Sequence, residues 1–202
     1  MTMAFDAQGE ISDEALMVLY ASGDRHAALA LTRRVTPRVL AYAARLLSGD
    51  RAEAEDVAQE TMLRLWKVAP VWRQGETKVT TWAYRVATNL CIDRQRARGR
   101  RRQTALDEAP EVADATPGAE GRLIAAGRMA ALEAALADLP DRQRQAVVLR
   151  HLEGMTNPEI AAIMEIGVEA VESLTARGKR ALSAILAGRK EALGYEDDGY
   201  AG

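Results

Sequence analysis

The sequence predicts an all-α protein of two small helical domains, the second a helix-turn-helix, joined by an acidic flexible linker. Three observations predict it. Alanine, leucine, arginine and glutamate, all strong helix formers, dominate the 202 residues, and no stretch shows β-branched alternation. Apolar residues recur every three or four positions between Ser, Asp, Asn and Gly punctuation. A block rich in arginine gives way abruptly to one rich in acid near residue 102.

Taken in order, Ser12 opens a first helix with Asp13 and Glu14 in its first turn, and Leu16, Leu19 and Tyr20 give it an apolar face. Gly23-Asp24 breaks it. A second helix runs from about Arg25 to Leu47, with Pro37 predicting a kink or boundary because proline lacks an amide donor. After Ser48-Gly49-Asp50, a third covers Ala52 to Val68. Its core stripe is Ala54, Val57, Ala58, Thr61, Met62 and Leu65, and its wet face is Asp56, Glu60, Arg64 and Lys67. Pro70 to Lys78 reads as a loop. Thr80 or Thr81 then caps a long helix to about Arg98, with Ala83, Val86, Ala87, Leu90 and Cys91 inward.

From Arg94 to Arg102 six of nine residues are arginine; from Gln103 to Gly121 there is no basic residue, but five acids and two prolines. This predicts a first domain over 1–102, a linker over 103–121, a second domain over 122–190 and a disordered acidic tail over 191–202. In the second domain, helices are expected from Leu123 to Leu139 and from Asp141 to Glu153, the latter ended by Gly154. Asn157 is expected to cap a short helix with Pro158 at its first position, broken by Gly167 before a last helix from about Val168 to Leu186.

The composition narrows the chemistry. A net charge of −2 does not exclude nucleic acid, because phosphate binding needs local rather than total positive charge. One cysteine, Cys91, builds neither an intrachain disulfide nor a thiolate zinc site. His26 and His151 have no ligand-spaced partners, and no Gly-rich phosphate loop or nucleophile elbow occurs. No catalytic residue, metal or cofactor is expected. No apolar run approaches the ~18 residues of a membrane helix, and the N-terminus lacks a signal-peptide pattern. A soluble cytoplasmic protein is expected.

Three segments can carry function. The pair from Pro158 to Glu165 and from Val168 onward reads as a helix-turn-helix whose second helix suits a major groove ~12 Å wide. Glu169, Ala170, Glu172, Ser173 and Ala176 would reach bases, and Arg177, Lys179 and Arg180 would lie near phosphates. A plain helical hairpin is the alternative. The helix from Thr81 offers Arg85, Thr88, Asn89 and Arg96, with Trp72, Trp82 and Tyr84 nearby, a combination suited to stacking unpaired bases along a basic track. Ordinary core packing is the alternative for each aromatic. Asp56, Gln59, Glu60 and Leu63 on the third helix read, from the residues alone, as a solvated face with a Glu60–Arg64 pair.

These segments together resemble the extracytoplasmic-function sigma factors, small two-domain initiation factors of bacterial RNA polymerase. "AEDVAQETMLRLW" (Ala54 to Trp66) resembles the family's polymerase-binding helix. "TWAYRVATNLCIDRQRARGRR" (Thr81 to Arg101) resembles its −10-reading helix. "LPDRQRQAVVLRHLEGMTNPEIAAIMEIGVEAVESLTARGKRAL" (Leu139 to Leu182) resembles its −35-reading domain. The resemblance spans about residues 12 to 187.

The resemblance implies core-polymerase contacts at Asp56, Gln59, Glu60, Leu63 and Trp66. It implies −10 contacts at Trp72, Trp82, Tyr84, Arg85, Thr88, Asn89, Asp93, Arg94 and Arg96, with a base flipped from the melted strand. It implies −35 contacts at Pro158, Glu159, Glu169, Ala170, Glu172, Ser173, Arg177, Lys179 and Arg180. The implied partners are core RNA polymerase, promoter DNA and an anti-sigma factor. The chain departs from the family at Ala170-Val171-Glu172-Ser173-Leu174, where a more basic recognition pattern is common. Glu172 can accept from cytosine but not bind phosphate, and Leu174 packs inward or meets a thymine methyl. A DNA-binding regulator that never joins polymerase, and a decoy that only sequesters an inhibitor, are the rival readings.

Overall fold

The computed structural model describes residues 11–104 and 120–192, and every regular element among them is helical. The expected linker, apart from its edges, and the expected acidic tail from 193 onward lie outside the described residues. The first half comprises α1 (Asp13–Ala21), α2 (Arg25–Leu46), α3 (Arg51–Val68), a 3-10 turn (Ala69–Val71) and α4 (Val79–Thr104). The second comprises α5 (Glu120–Ala137), α6 (Asp141–Val147) continued by a π turn (Val148–Leu152), α7 (Asn157–Met164) and α8 (Val168–Ala192).

Side-chain caps start the first three helices where the sequence placed its punctuation. Ser12 accepts from the Ala15 amide at 3.2 Å, Asp24 from the His26 and Ala27 amides at 2.8 and 3.3 Å, and Asp50 from the Glu53 amide at 3.0 Å. Each satisfies orphan first-turn donors. Gly23 and Gly49 take the positive φ values that the intervening turns need, 95° and 86°. Helix α2 runs unbroken through Pro37, so the proline is not a boundary. Pro37 is exposed, where water can serve the carbonyl it orphans, and Val35 and Val39 on either side are fully buried.

The α2, α3 and α4 stripes interlock as the core of the first half. All six residues expected on the inner face of α3 are buried. On α4, Ala83, Ala87, Leu90 and Cys91 are buried, whereas Val86 is only partly so. Met17 is fully buried beside Leu16, a core position that the reading of α1 had missed. Burial pushes the Cys91 thiol up to about 12, so it is a packing residue rather than a nucleophile.

Two caps in the second half differ from expectation. Thr156, not Asn157, is the N-cap of α7: Glu159 returns a carboxylate to the Thr156 amide at 2.8 Å, completing a capping box. The left-handed residue that ends α7 is Glu165, at φ 54°, and not Gly167. Helix α4 starts at Val79 and reaches Thr104, and α5 starts at Glu120, so the helices extend into the span read as linker.

Candidate nucleic-acid interface

Helix α3 turns its buried stripe to α2 and leaves Asp56, Gln59 and Leu63 exposed. Glu60 is half-buried and accepts from the Arg64 guanidinium at 2.7 Å, which holds its carboxyl below the usual carboxylate range. Trp66 is half-buried, with its ring 4.5 Å from that of Tyr20. Between α2 and α3 lies a mostly apolar groove of about 360 Å³, lined by Thr32, Leu40, Ala58, Gln59, Leu63 and Trp66 among others. Leu63 is 46% exposed at its rim, a large apolar side chain offered to solvent.

Helix α4 presents two faces. Arg85, Asn89, Asp93 and Arg96 recur at helical spacing and are exposed. Tyr84 and Thr88 lie on the other face and are buried. The Thr88 hydroxyl donates to the Tyr84 carbonyl at 2.7 Å and shares a 2.7 Å hydrogen bond with the Tyr42 hydroxyl. Trp72 and Trp82 meet edge to face at 6.2 Å, half-buried at the start of the helix. The Trp72 indole N–H is buried with no partner among the described residues. The arginine block is divided: Arg94 pairs with Glu53 at 2.6 Å and Arg98 pairs with Asp50, both carboxylates at the start of α3, while Arg96 stands exposed.

In the second half, α7 and α8 cross through Ile160, Ile163, Met164 and Val171, all buried. This leaves Glu169, Ala170, Glu172, Ser173, Arg177, Lys179 and Arg180 exposed along the outer face of α8. Leu174 is half-buried and packs against the core, which answers which way that side chain turns. Pro158 is exposed at the start of α7, and Glu172 accepts from the Asn157 amide group at 3.4 Å. Glu159 serves the capping box and also meets Lys78 of the first half at 2.8 Å.

Several features here escaped sequence reasoning. Arg144 on α6 is buried, and its guanidinium donates to the carbonyls of Leu46, Ala137 and Leu139, to Ser48 Oγ and to Asp141. Glu153 meets Arg45 at 3.3 Å and accepts from the Tyr84 hydroxyl. Gly178 is where α8 crosses α6: a Cβ there would fall 2.6 Å from Val147 Cγ2 and 3.2 Å from the Gln143 carbonyl. Leu132, Leu136, Val147, Leu152, Leu182 and Leu186 line a second apolar groove of about 300 Å³. Only Gly178 left a sequence signal, a lone glycine inside a helical pattern. A polar cleft of about 750 Å³ separates Asn89 and Arg96 on α4 from Arg142, Gln145 and Glu165.

A helix-turn-helix beside a bundle with an aromatic and arginine-bearing face defines a nucleic-acid-binding protein of the transcription class. Comparison with known proteins narrows it. Residues 31–101 match sigma-70 region 2, and residues 129–182 match sigma-70, region 4. The chain is 36% identical over 187 residues to the ECF RNA polymerase sigma factor SigE of Mycolicibacterium smegmatis, covering 92% of this chain and 67% of that one. It is 31% identical over 184 residues to the ECF RNA polymerase sigma factor SigM of Mycobacterium tuberculosis, covering 91% and 89%. A solved structure of CnrH in complex with the cytosolic domain of CnrY aligns with a TM-score of 0.64 at 26% identity, covering 87% of this chain and 97% of that one. The chain belongs to the extracytoplasmic-function sigma factors of RNA polymerase. Among its described residues, no helix is long and apolar enough to cross a membrane.

Proposed function

We propose that the chain docks on core RNA polymerase through Asp56, Gln59, Glu60, Leu63 and Trp66, and reads promoters with both halves. The −10 strand, once melted, runs along Arg85, Asn89, Asp93 and Arg96, with Trp72 and Trp82 offering stacking surface at the head of α4. Tyr84, Thr88 and Arg94 support that helix from beneath. The −35 duplex receives α8, with Glu169, Ala170, Glu172 and Ser173 at base edges, Arg177, Lys179 and Arg180 at phosphates, and Pro158 and Glu159 at the groove edge. Strand separation is driven by binding energy, so the chain supplies no catalytic group. It works in the cytoplasm, where polymerase and promoter are.

The observation that carries this reading is the order of exposed faces in one chain of this family. A polar and apolar face on α3 is followed by a basic face on α4, then by an open recognition helix on α8. Both outer faces keep charged and polar groups unburied, as contact with phosphates and base edges requires. CnrH is solved in complex with the cytosolic domain of CnrY, a precedent for a protein partner of this chain; an anti-sigma factor would act by covering these surfaces.

Purified protein with core polymerase should produce promoter-dependent transcripts from templates of the source genome. No transcript on any template, in the absence of inhibitor, sinks the reading. Asp56→Ala combined with Gln59→Ala should weaken core binding while leaving thermal unfolding unchanged. Unaltered affinity removes polymerase from that face.

A further inference from the structure

Glu172 is exposed in the second turn of α8, on its outer face. The carboxylates around it have local work. Glu159 completes the α7 capping box and pairs with Lys78. Glu169 lies in the first turn of α8, where the helix dipole favours an acid. Glu172 has neither role, and its own helix offers it no cation. The residues three and four before it are Glu169 and Val168, and those three and four after it are Thr175 and Ala176. Among the described residues its hydrogen bond comes from another helix: the Asn157 side-chain amide, at the start of α7, donates to Glu172 Oε1 at 3.4 Å. That bond spans the helix-turn-helix and engages one carboxylate oxygen. It leaves Oε2 without a partner among the described residues.

We propose that Glu172 selects cytosine at one position of the −35 duplex, and that Asn157 is the positioning residue that makes the selection sharp. The inference rests on the reading of α8 as the −35 helix given above. A carboxylate only accepts hydrogen bonds. In the major groove cytosine N4 and adenine N6 donate, whereas thymine O4 and guanine O6 and N7 accept and repel it. Adenine sets its N7 acceptor beside the N6 donor, so cytosine is the base whose own groove edge opposes no acceptor to the carboxylate. Glu172 thus selects by exclusion as well as by bonding, because a wrong base leaves an unpaired negative charge against a duplex of phosphates. Asn157 sharpens the choice. A free glutamate swings through many rotamers and turns away from a wrong base. One tied at Oε1 keeps Oε2 in place and loses less freedom when cytosine arrives. The side chain of Asn157 is available for this task, since Thr156 and Glu159 supply the cap that starts α7.

Reconstituted holoenzyme and a promoter library randomised across the −35 element test both residues. Wild type should select cytosine at one position by about tenfold over the other bases, the scale of one good base contact. Glu172→Gln keeps the side-chain length and the bond from Asn157, but brings an amide NH2 towards cytosine N4, donor against donor. The cytosine lead should vanish at that position, and preferences elsewhere in the element should persist. Asn157→Ala should cut the lead about threefold, the scale of one side chain set loose, with cytosine still preferred and thermal unfolding unchanged. An undiminished cytosine lead in Glu172→Gln overturns the role of the carboxylate. A lead lost in Glu172→Gln but undiminished in Asn157→Ala overturns the positioning role. Wild type that selects other bases at −35 but no cytosine overturns the inference and leaves promoter reading intact. Wild type that selects nothing at −35 removes the reading of α8, and the inference with it.

Discussion

The two halves of the molecule hold the charges of their proposed recognition surfaces in opposite states. On the second half, the outer face of α8 is open from Glu169 to Arg180. On the first half, the face of α3 proposed for polymerase is open, while α4 has one face exposed and the other buried against α2 and α3, where Tyr84 donates to Glu153 of the second half. The charges differ in the same way. Along α8, among the described residues, Arg177 and Arg180 bond only to carbonyls one turn earlier in their own helix, at 3.3 and 3.4 Å. Along α4, Arg94 and Arg98 are already paired with carboxylates at the start of α3. One half presents a ready surface, and the other keeps part of its positive charge engaged. A local run of arginine is therefore a poor measure of the charge available to a ligand.

The contrast can be broken most strongly at Arg144, whose buried guanidinium ties the turn before α6 to the C-terminal end of α2. Arg144→Ala strands the carbonyls of Ala137 and Leu139, leaves Leu46 with only its bond from Gln95, and should cost about 3 kcal/mol. Chemical denaturation of the variant beside wild type measures it, and a loss below ~1 kcal/mol would show that water replaces the guanidinium.

Gly178→Ala comes next. Its methyl would meet Val147 at 2.6 Å and the Gln143 backbone at 3.2 Å, so α8 must shift from α6 at about 2 kcal/mol. If α8 carries the recognition residues as proposed, duplex −35 binding should fall more than core-polymerase binding does. Equal losses in both would mean that the whole chain, and not the crossing, had been damaged.

Thr156→Ala removes one arm of the α7 capping box and should lower stability by about 1 kcal/mol. The readout is earlier hydrogen exchange in α7 with α2 and α3 unchanged.

The smallest effect lies at acid pH. Burial raises the Glu159 carboxyl, but hydrogen bonds from Lys78 and Thr156 outweigh it and hold the group at about 2, against an ordinary 4.5. A depressed folded-state value stabilises above the unfolded value and is lost as pH falls through the folded one. Wild type should therefore lose this contribution between about pH 4.5 and 2, with no change from it near neutrality. Glu159→Gln should flatten that part of the acid limb. The same slope in both proteins would assign acid sensitivity elsewhere.

Much of the fold was legible because helices are local objects. Ser12, Asp24 and Asp50 cap amides within three residues, and the α3 stripe repeats at helical period. Where local signals competed, they misled. Asn157 beside Pro158 looked like a cap, but Thr156 had Glu159 at the spacing a capping box needs. Pro37 looked like a break, but packing on both sides of it carried α2 through. Gly167 looked like the break after α7, and Glu165 takes the left-handed conformation that ends it.

By itself the sequence determined the helices, the caps of the first three, the inner and outer faces and the helix-turn-helix, because each depends on residues a turn or so apart. Only the tertiary structure decided which charges were already occupied. Arg94 meets a carboxylate 41 positions away, Tyr84 one 69 away, and Arg144 a carbonyl 98 away. Such partners are chosen by how helices cross, and periodicity along a single helix carries no record of that. Helix α4 could thus be read as basic from its residues. That a carboxylate from the second half sits against its inner face could be learned only from the packed molecule.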